Sequence, residues 1–182
     1  MTILAIDFGG TQVKSALVSE QFAIEKSLPK QSSPQNLEQA IDVIDQIVTS
    51  VEVDLSGIAI SVPGTVDTNE GVIYHGGLLR FFHGFRIKDI LEARYHLPLA
   101  ALNDGKAAAL AELATGHLQG VTNGAALVLG SGLGGGFIIN GKLFQGSHFQ
   151  AGELTFLLPV QMEKVDPSLM RGMTLSAVGL IT

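Results

Sequence analysis

Between two apolar runs, 125–129 and 137–139, the chain gives five of seven positions to glycine: Gly130, Ser131, Gly132, Leu133, Gly134, Gly135 and Gly136. A shorter cluster, Gly9-Gly10-Thr11, separates the apolar run 3–7 from 13–18. Paired glycines let a backbone turn sharply and approach a ligand closely, so each cluster reads as a tight turn between strands with amides open to a phosphate-like anion. More glycine stands in the second cluster than a turn needs.

Composition narrows the class of protein around these turns. Charged residues make up 15% and hydrophobic residues 46% of the 182 positions, so the chain can bury a core and is not disordered. The net charge of −6, with no Lys/Arg cluster, argues against nucleic acid as a partner. The absence of cysteine excludes a disulfide framework, a Cys-based zinc site and a thiol nucleophile. The run from Met1 to Ile6 leads straight to Asp7 and lacks the pattern of a secretory signal, so a cytoplasmic setting is expected. The uncharged stretch 113–141 is long enough to cross a bilayer, but nine glycines interrupt it and no membrane partner is expected. The length fits one domain, or one full lobe with part of another.

Along the chain the period changes in an informative order. Segments 3–7, 13–18 and 23–28 read as a three-stranded antiparallel meander. Leu37, Ala40, Ile41, Ile44, Ile47, Val48 and Val51 then recur at helical spacing, with Ser33 expected as the N-cap and Pro34 at the first helical position. A buried strand over 58–62 closes on Pro63-Gly64, giving a βββαβ order. Residues 65–86 read as a ligand-facing loop with short strands. A short helix over 87–95, a strand over 99–102 and an alanine-filled helix over 105–113 follow, and Asn140-Gly141 marks a hairpin turn.

Three places can carry chemistry. Asp7 ends the first strand beside Gly9, Gly10 and Thr11, where it can hold Mg²⁺ through water or simply cap a hairpin. Asp104, in Asn103-Asp104-Gly105, stands at a strand-to-helix junction, which suits a general base fixed from both sides and equally an N-cap. The third is the glycine run. Gly130, Gly132 and Gly135 match the spacing of a dinucleotide fingerprint, but the run is followed by a strand and hairpin where that fingerprint needs a helix. It therefore reads as a second turn offering amides and the Ser131 hydroxyl. The five histidines show no metal-pair spacing, and only His75 and His83 are kept as substrate contacts. Phe81, Phe82 and Phe85 read as core packing or a pocket lining.

Taken together, IDFGGT at Asp7, SVPGTVD at Pro63-Gly64, LNDGKAAALAE at Asp104, LGSGLGGGFIINGKLFQG from Leu129 and AGEL at Glu153 resemble the ROK family (repressor, open reading frame, kinase) of the actin-like ATPase superfold. The resemblance runs over essentially the whole chain. It implies an α/β fold with a ribonuclease H-like lobe over 1–115 and the start of a similar nucleotide lobe over 116–182. It implies ATP and Mg²⁺ as cofactors and a homodimer acting on a small sugar. Asp7, Gly9, Gly10 and Thr11 would form the first phosphate loop, and Gly130, Ser131, Gly132, Gly134 and Gly135 the second. Asp104 would take the proton of a sugar hydroxyl, the one at carbon 6, with Asn103, Glu153, Gly64 and Gly77 on the sugar side.

Departures from the family pattern sharpen the expectation. Phe156 stands where zinc-containing members place a histidine, and no cysteine cluster follows, so a zinc-free site is expected. Gly76-Gly77-Leu78 replaces an Asn-Leu pair common in glucokinase-like members, which points to β-glucosides or other modified hexoses. The family's repressors carry a DNA-binding domain before the first loop, for which the six residues ahead of Asp7 leave no space. Two alternatives stay open: a sugar-sensing regulator lacking that domain, and a non-catalytic sugar-binding fragment, because the resemblance implies a longer, two-lobed protein with its adenosine-binding segment beyond Thr182.

Overall fold

The computed structural model describes residues 1–130 and 132–156. Ser131 and residues 157–182 lie outside the described residues. The chain divides into two compact units, Met1–Asp104 and one running from Gly105.

The first unit is built on β1 (Thr2–Phe8), β2 (Gln12–Ser19), β3 (Ile24–Ser27), β4 (Gln31–Ser32), α1 (Leu37–Thr49) and β5 (Gly57–Val62). It continues with β6 (Thr65–Asp67), β7 (Val72–His75), a 3-10 turn (Arg80–Phe82), β8 (Phe85–Arg86), α2 (Ile87–Tyr95) and β9 (Leu99–Asn103). The main sheet runs β3-β2-β1-β5-β9, with β4 adding to β2. β1 pairs antiparallel with β2 and parallel with β5, which pairs parallel with β9. This is the mixed βββαβ sheet expected, with the two-residue β4 as an addition that carries no apolar alternation to announce it.

Period-two alternation decides what each face holds. Leu4, Ile6 and Phe8 of β1 and Ile58, Ile60 and Val62 of β5 are buried in one core together with Ala40, Ile44 and Ile47 of α1. The intervening residues, Asp7 among them, point to the other face. Phe82 anchors the small β6-β7-β8 sheet to that core, meeting Phe8 edge-on at 5.4 Å and Phe85 at 5.8 Å between ring centroids. Of the two roles open to these phenylalanines, Phe82 and Phe85 take core packing: both are buried.

One helix start differs from expectation. α1 begins at Leu37 and its cap is Asn36, whose side chain accepts from the Gln39 amide at 2.9 Å. Ser33 is committed elsewhere: its hydroxyl donates to the Gly9 carbonyl at 2.6 Å and its amide to the Thr11 carbonyl at 3.1 Å. Tertiary bonds thus hold Ser33 in the first glycine turn and pass the capping role three residues along.

The second unit holds α3 (Asp104–Thr115, entered from the last residue of the first unit), β10 (Gly124–Leu129), β11 (Leu133–Ile139), β12 (Lys142–Phe144) and a 3-10 turn (Leu154–Phe156). β10, β11 and β12 form an antiparallel sheet, and Asn140 and Gly141, both at positive φ, make the expected tight turn into β12. The glycine run is shorter as a turn than its sequence suggests. Gly134, Gly135 and Gly136 lie within β11, paired with Val128, Leu127 and Ala126. Their lack of a side chain lets α3 press on the strand: a Cβ on Gly136 would fall 2.6 Å from the Ala109 Cβ, and one on Gly105 2.5 Å from the Gly135 amide nitrogen.

Candidate active site

Sheet register assembles the first group. Asp7 is paired with Lys14 across the antiparallel β1–β2 ladder and with Ser61 across the parallel β1–β5 ladder. All three side chains therefore share the face away from the core. The Ser61 hydroxyl donates to Asp7 Oδ1 at 2.6 Å, and Lys14 Nζ lies 3.9 Å from Oδ2. Asp7 keeps 42% of its side chain exposed, so a hydrated cation can reach it. In the adjoining turn the Gly9 amide is spent on the Gln12 carbonyl at 3.0 Å. Gly10 and Thr11 are exposed, and their amides donate to no acceptor among the described residues. The turn can thus offer two amides to an anion. Lys14 and Ser61 were not singled out from the sequence; only the strand register, across separations of 7 and 54 residues, brings them to Asp7.

The second group forms where β9 meets α3. Asn103 is the last residue of β9, buried to 3% exposure, and Asp104 is the first of α3. Asn103 Nδ2 donates to the Gly64 carbonyl at 2.8 Å and to Asp104 Oδ1 at 3.1 Å. The carboxylate is thereby held by strand, helix and a neighbouring amide group. Gly64 follows β5 with φ of 96°, a left-handed conformation open to glycine, and a Cβ there would lie 1.9 Å from the His75 carbonyl oxygen. Gly77 packs directly on it, its own Cβ position being 3.1 Å from the Gly64 nitrogen. Asn103, Asp104, Gly64 and Gly77, singled out from the sequence, thus come together in one unit with the histidine pair, His75 and His83, whose rings are 4.4 Å apart.

The third group lies in the second unit. Gly130 and Gly132 form the turn between β10 and β11, closed by a bond from the Gly130 amide to the Gly132 carbonyl at 3.0 Å. Gly134 and Gly135 belong to the strand. Gly152, at φ of 84°, lies along β11, with a Cβ position 2.9 Å from the Gly135 carbonyl oxygen, and so brings Glu153 beside that strand. Lys106, on the first turn of α3, is the residue the sequence conceals. It is 1% exposed, and its ammonium donates to the carbonyl of Phe149, a residue held at φ of 56°. Burial pushes the Lys106 ammonium below the ordinary lysine range, and the Glu153 carboxylate acts against that shift. A lysine's default place is the surface, so nothing in the local pattern marks this one as buried.

Among the described residues no group of three His, Cys, Asp or Glu could hold a metal ion, and no helix is long and apolar enough to cross a membrane. A cavity of about 360 Å³ lined by Leu113, Gly120, Val121, Thr122, Asn140 and Gly141 contains none of the candidate residues.

Comparison with known proteins gives the family. The model of the ROK family matches residues 3–165. A β-glucoside kinase of Listeria monocytogenes is 36% identical over 157 residues, covering 86% of this chain and 53% of that protein. Among solved structures, a ROK family protein from Streptococcus pneumoniae in complex with sucrose has a TM-score of 0.78 and 38% identity, covering 91% of this chain and 55% of that one. A ROK family glucokinase from Streptomyces griseus in complex with glucose and AMPPNP has a TM-score of 0.81 and 30% identity, covering 88% and 51%. The chain spans about half the length of the curated relatives it matches.

Proposed function

The chain belongs to the ROK family, and from that premise we propose that it carries the sugar side and part of the nucleotide side of an ATP-dependent kinase acting on a hexose or hexoside hydroxyl, at carbon 6. The supporting observation is the bridge made by Asn103, which ties the Asp104 carboxylate to the Gly64 carbonyl and leaves the carboxylate fixed in direction. Phosphoryl transfer asks a protein chiefly to position its reactants and neutralise charge, and one oriented carboxylate with amide-rich turns answers that need.

In this reading Asp104 accepts the proton of the attacking sugar hydroxyl. Asn103, Glu153, Gly64 and Gly77 hold neighbouring hydroxyls and set which one faces Asp104. The amides of Gly10 and Thr11 receive phosphate oxygens, as does the turn from Gly130 to Gly132, with the Ser131 hydroxyl as a further donor. The donor set around Asp7, one accessible carboxylate, fits Mg²⁺ held through its own water, and Lys14 adds positive charge on the same face. Bound MgATP supplies the phosphoryl group. The lack of cysteine supports a site assembled without zinc. Residues 1–115 serve as the sugar lobe and 116–182 open the nucleotide lobe. The β-glucoside kinase relative and the sucrose complex favour a hexoside over free glucose as acceptor.

The test screens glucose, mannose, fructose, N-acetylmannosamine and a β-glucoside disaccharide for ADP release. Asp104→Asn is expected to lower turnover by about 10²- to 10⁴-fold, as for loss of a general base, while sugar binding measured by calorimetry survives. Full activity in that variant sinks the role of Asp104, and binding without turnover of any sugar by the unaltered protein favours the non-catalytic alternative.

A further inference from the structure

The reading above leaves His75 and His83 without a role, yet both stand among its sugar-side residues. Each ring is turned onto a backbone amide. The Gly76 amide donates to His83 Nδ1 and the Gly77 amide to His75 Nδ1, both at 3.1 Å. An amide can only donate, so both Nδ1 atoms accept and both protons sit on Nε2. The crossed pair, with rings 4.4 Å apart, closes over consecutive amides of a single turn.

That turn is the wall against which Gly64 rests. Gly64 has no space for a Cβ because the His75 carbonyl oxygen and the Gly77 nitrogen occupy it, at 1.9 Å and 2.6 Å from the Cβ position. The Gly64 carbonyl in turn accepts from Asn103 Nδ2, which also donates to Asp104. A continuous path of contacts therefore runs from the two imidazoles through Gly76-Gly77 and Gly64 to Asn103 and Asp104. We propose that His75 and His83 are positioning residues that lock the Gly76-Gly77 turn and, through Gly64, set the direction of Asn103 and Asp104 toward the acceptor sugar. Their effect is on the acceptor and not on the nucleotide. The catalytic meaning of this lock rests on the sugar-kinase reading; the lock itself does not.

The geometry identifies a discriminating pair of variants. Asparagine places Oδ1 where histidine has Nδ1, so His75→Asn with His83→Asn keeps both acceptors. His75→Phe with His83→Phe keeps the rings and removes the acceptors. In the 182-residue chain, hydrogen exchange at the Gly76 and Gly77 amides and the NMR resonances of the Asn103 side-chain amide are followed without any ligand. The Phe pair is expected to raise exchange at both amides about tenfold or more, as for loss of a net hydrogen bond, and to displace the Asn103 resonances. The Asn pair is expected to restore both. In the ADP-release assay the Phe pair raises KM for the sugar about tenfold on the same grounds, leaves KM for ATP in place, and the Asn pair recovers it. Should the Phe pair not fold, the corresponding Gln pair, whose acceptors stand one bond too far out, is read in its place. Unmoved Asn103 resonances in the acceptor-less variants, equal impairment of the Asn pair, or a parallel rise in KM for ATP would each overturn the proposal. Absence of turnover in the unaltered chain would count against the kinase reading alone, since the exchange and resonance measurements still decide the lock.

Discussion

Single side chains here take their meaning from neighbours far away in sequence. Asp7 was legible because a carboxylate at a strand end before Gly9-Gly10 is unusual, but Ser61 was not, since parallel register is invisible in a one-dimensional pattern. Ser61→Ala removes the 2.6 Å bond that orients Asp7 Oδ1. If Asp7 holds hydrated Mg²⁺, KM for MgATP is expected to rise about fivefold, the value of one net hydrogen bond, with KM for the sugar unchanged in steady-state kinetics. Lys106 is the opposite case, legible as a residue and misleading as a type. Its pKa lies below the ordinary 10.5 because burial disfavours the charge, so the folded state holds its proton less tightly than the unfolded chain. Between the lowered value and 10.5, stability contributed by this group therefore rises with pH. Denaturant titrations of the wild type and Lys106→Met are expected to diverge in the wild type's favour as pH approaches 10.5, and parallel curves would show that burying this ammonium has no cost.

At the level of elements, periodicity carried most of the fold and failed where tertiary bonds outweighed local preference. The body of α1 follows from its three- and four-residue spacing, and the three-stranded meander from apolar runs set between turn residues. The start of α1 did not, because Ser33 is a good cap by type but its hydrogen bonds belong to the Gly9–Thr11 turn. Asn36→Ala is expected to lower stability by about 1 kcal/mol through loss of the cap. Thermal denaturation checks this, and an equal loss confined to Ser33→Ala would return the capping role to Ser33. The glycine run was legible as a strand-to-strand connection but not as helix packing, which depends on α3 pressing its Ala109 face onto β11. Gly136→Ala is expected to cost about 1–3 kcal/mol by overpacking, and Ala109→Gly in the same chain to recover part of it despite the roughly 1 kcal/mol helix cost of glycine. Between α1 and α2 the tie is ionic. Arg94 donates to both oxygens of Asp45, at 2.7 Å and 2.5 Å, and the Tyr95 hydroxyl adds a third bond at 2.6 Å. The Arg94 hydrogen bonds hold the Asp45 carboxyl below its ordinary 3.8, so the support it gives is complete above that value and fades as pH falls through the lowered one. Asp45→Asn should flatten the acid limb of the stability profile below about pH 4 without changing its slope at neutrality.

For the whole molecule, the chain's share of its relatives' length sets what can be asked of it. Of the proposed sugar-side residues, Gly64, Gly77, Asn103 and Asp104 fall in the unit Met1–Asp104 and Glu153 in the unit that runs from Gly105, so all are present and sugar binding is expected in the 182-residue chain. Because that chain spans about half of the relatives it matches, ADP release is expected to be far stronger in a version extended to their length. Equal rates in the two would show that the described residues suffice. The packing of α3 on β11 has a further consequence, for inheritance. Every missense change in a glycine codon introduces a side chain, and the one position where β11 meets Ala109 at 2.6 Å has no space for even the smallest. Every single base substitution that replaces Gly136 therefore carries a stability cost there, which a prior change in the facing helix at Ala109 would reduce.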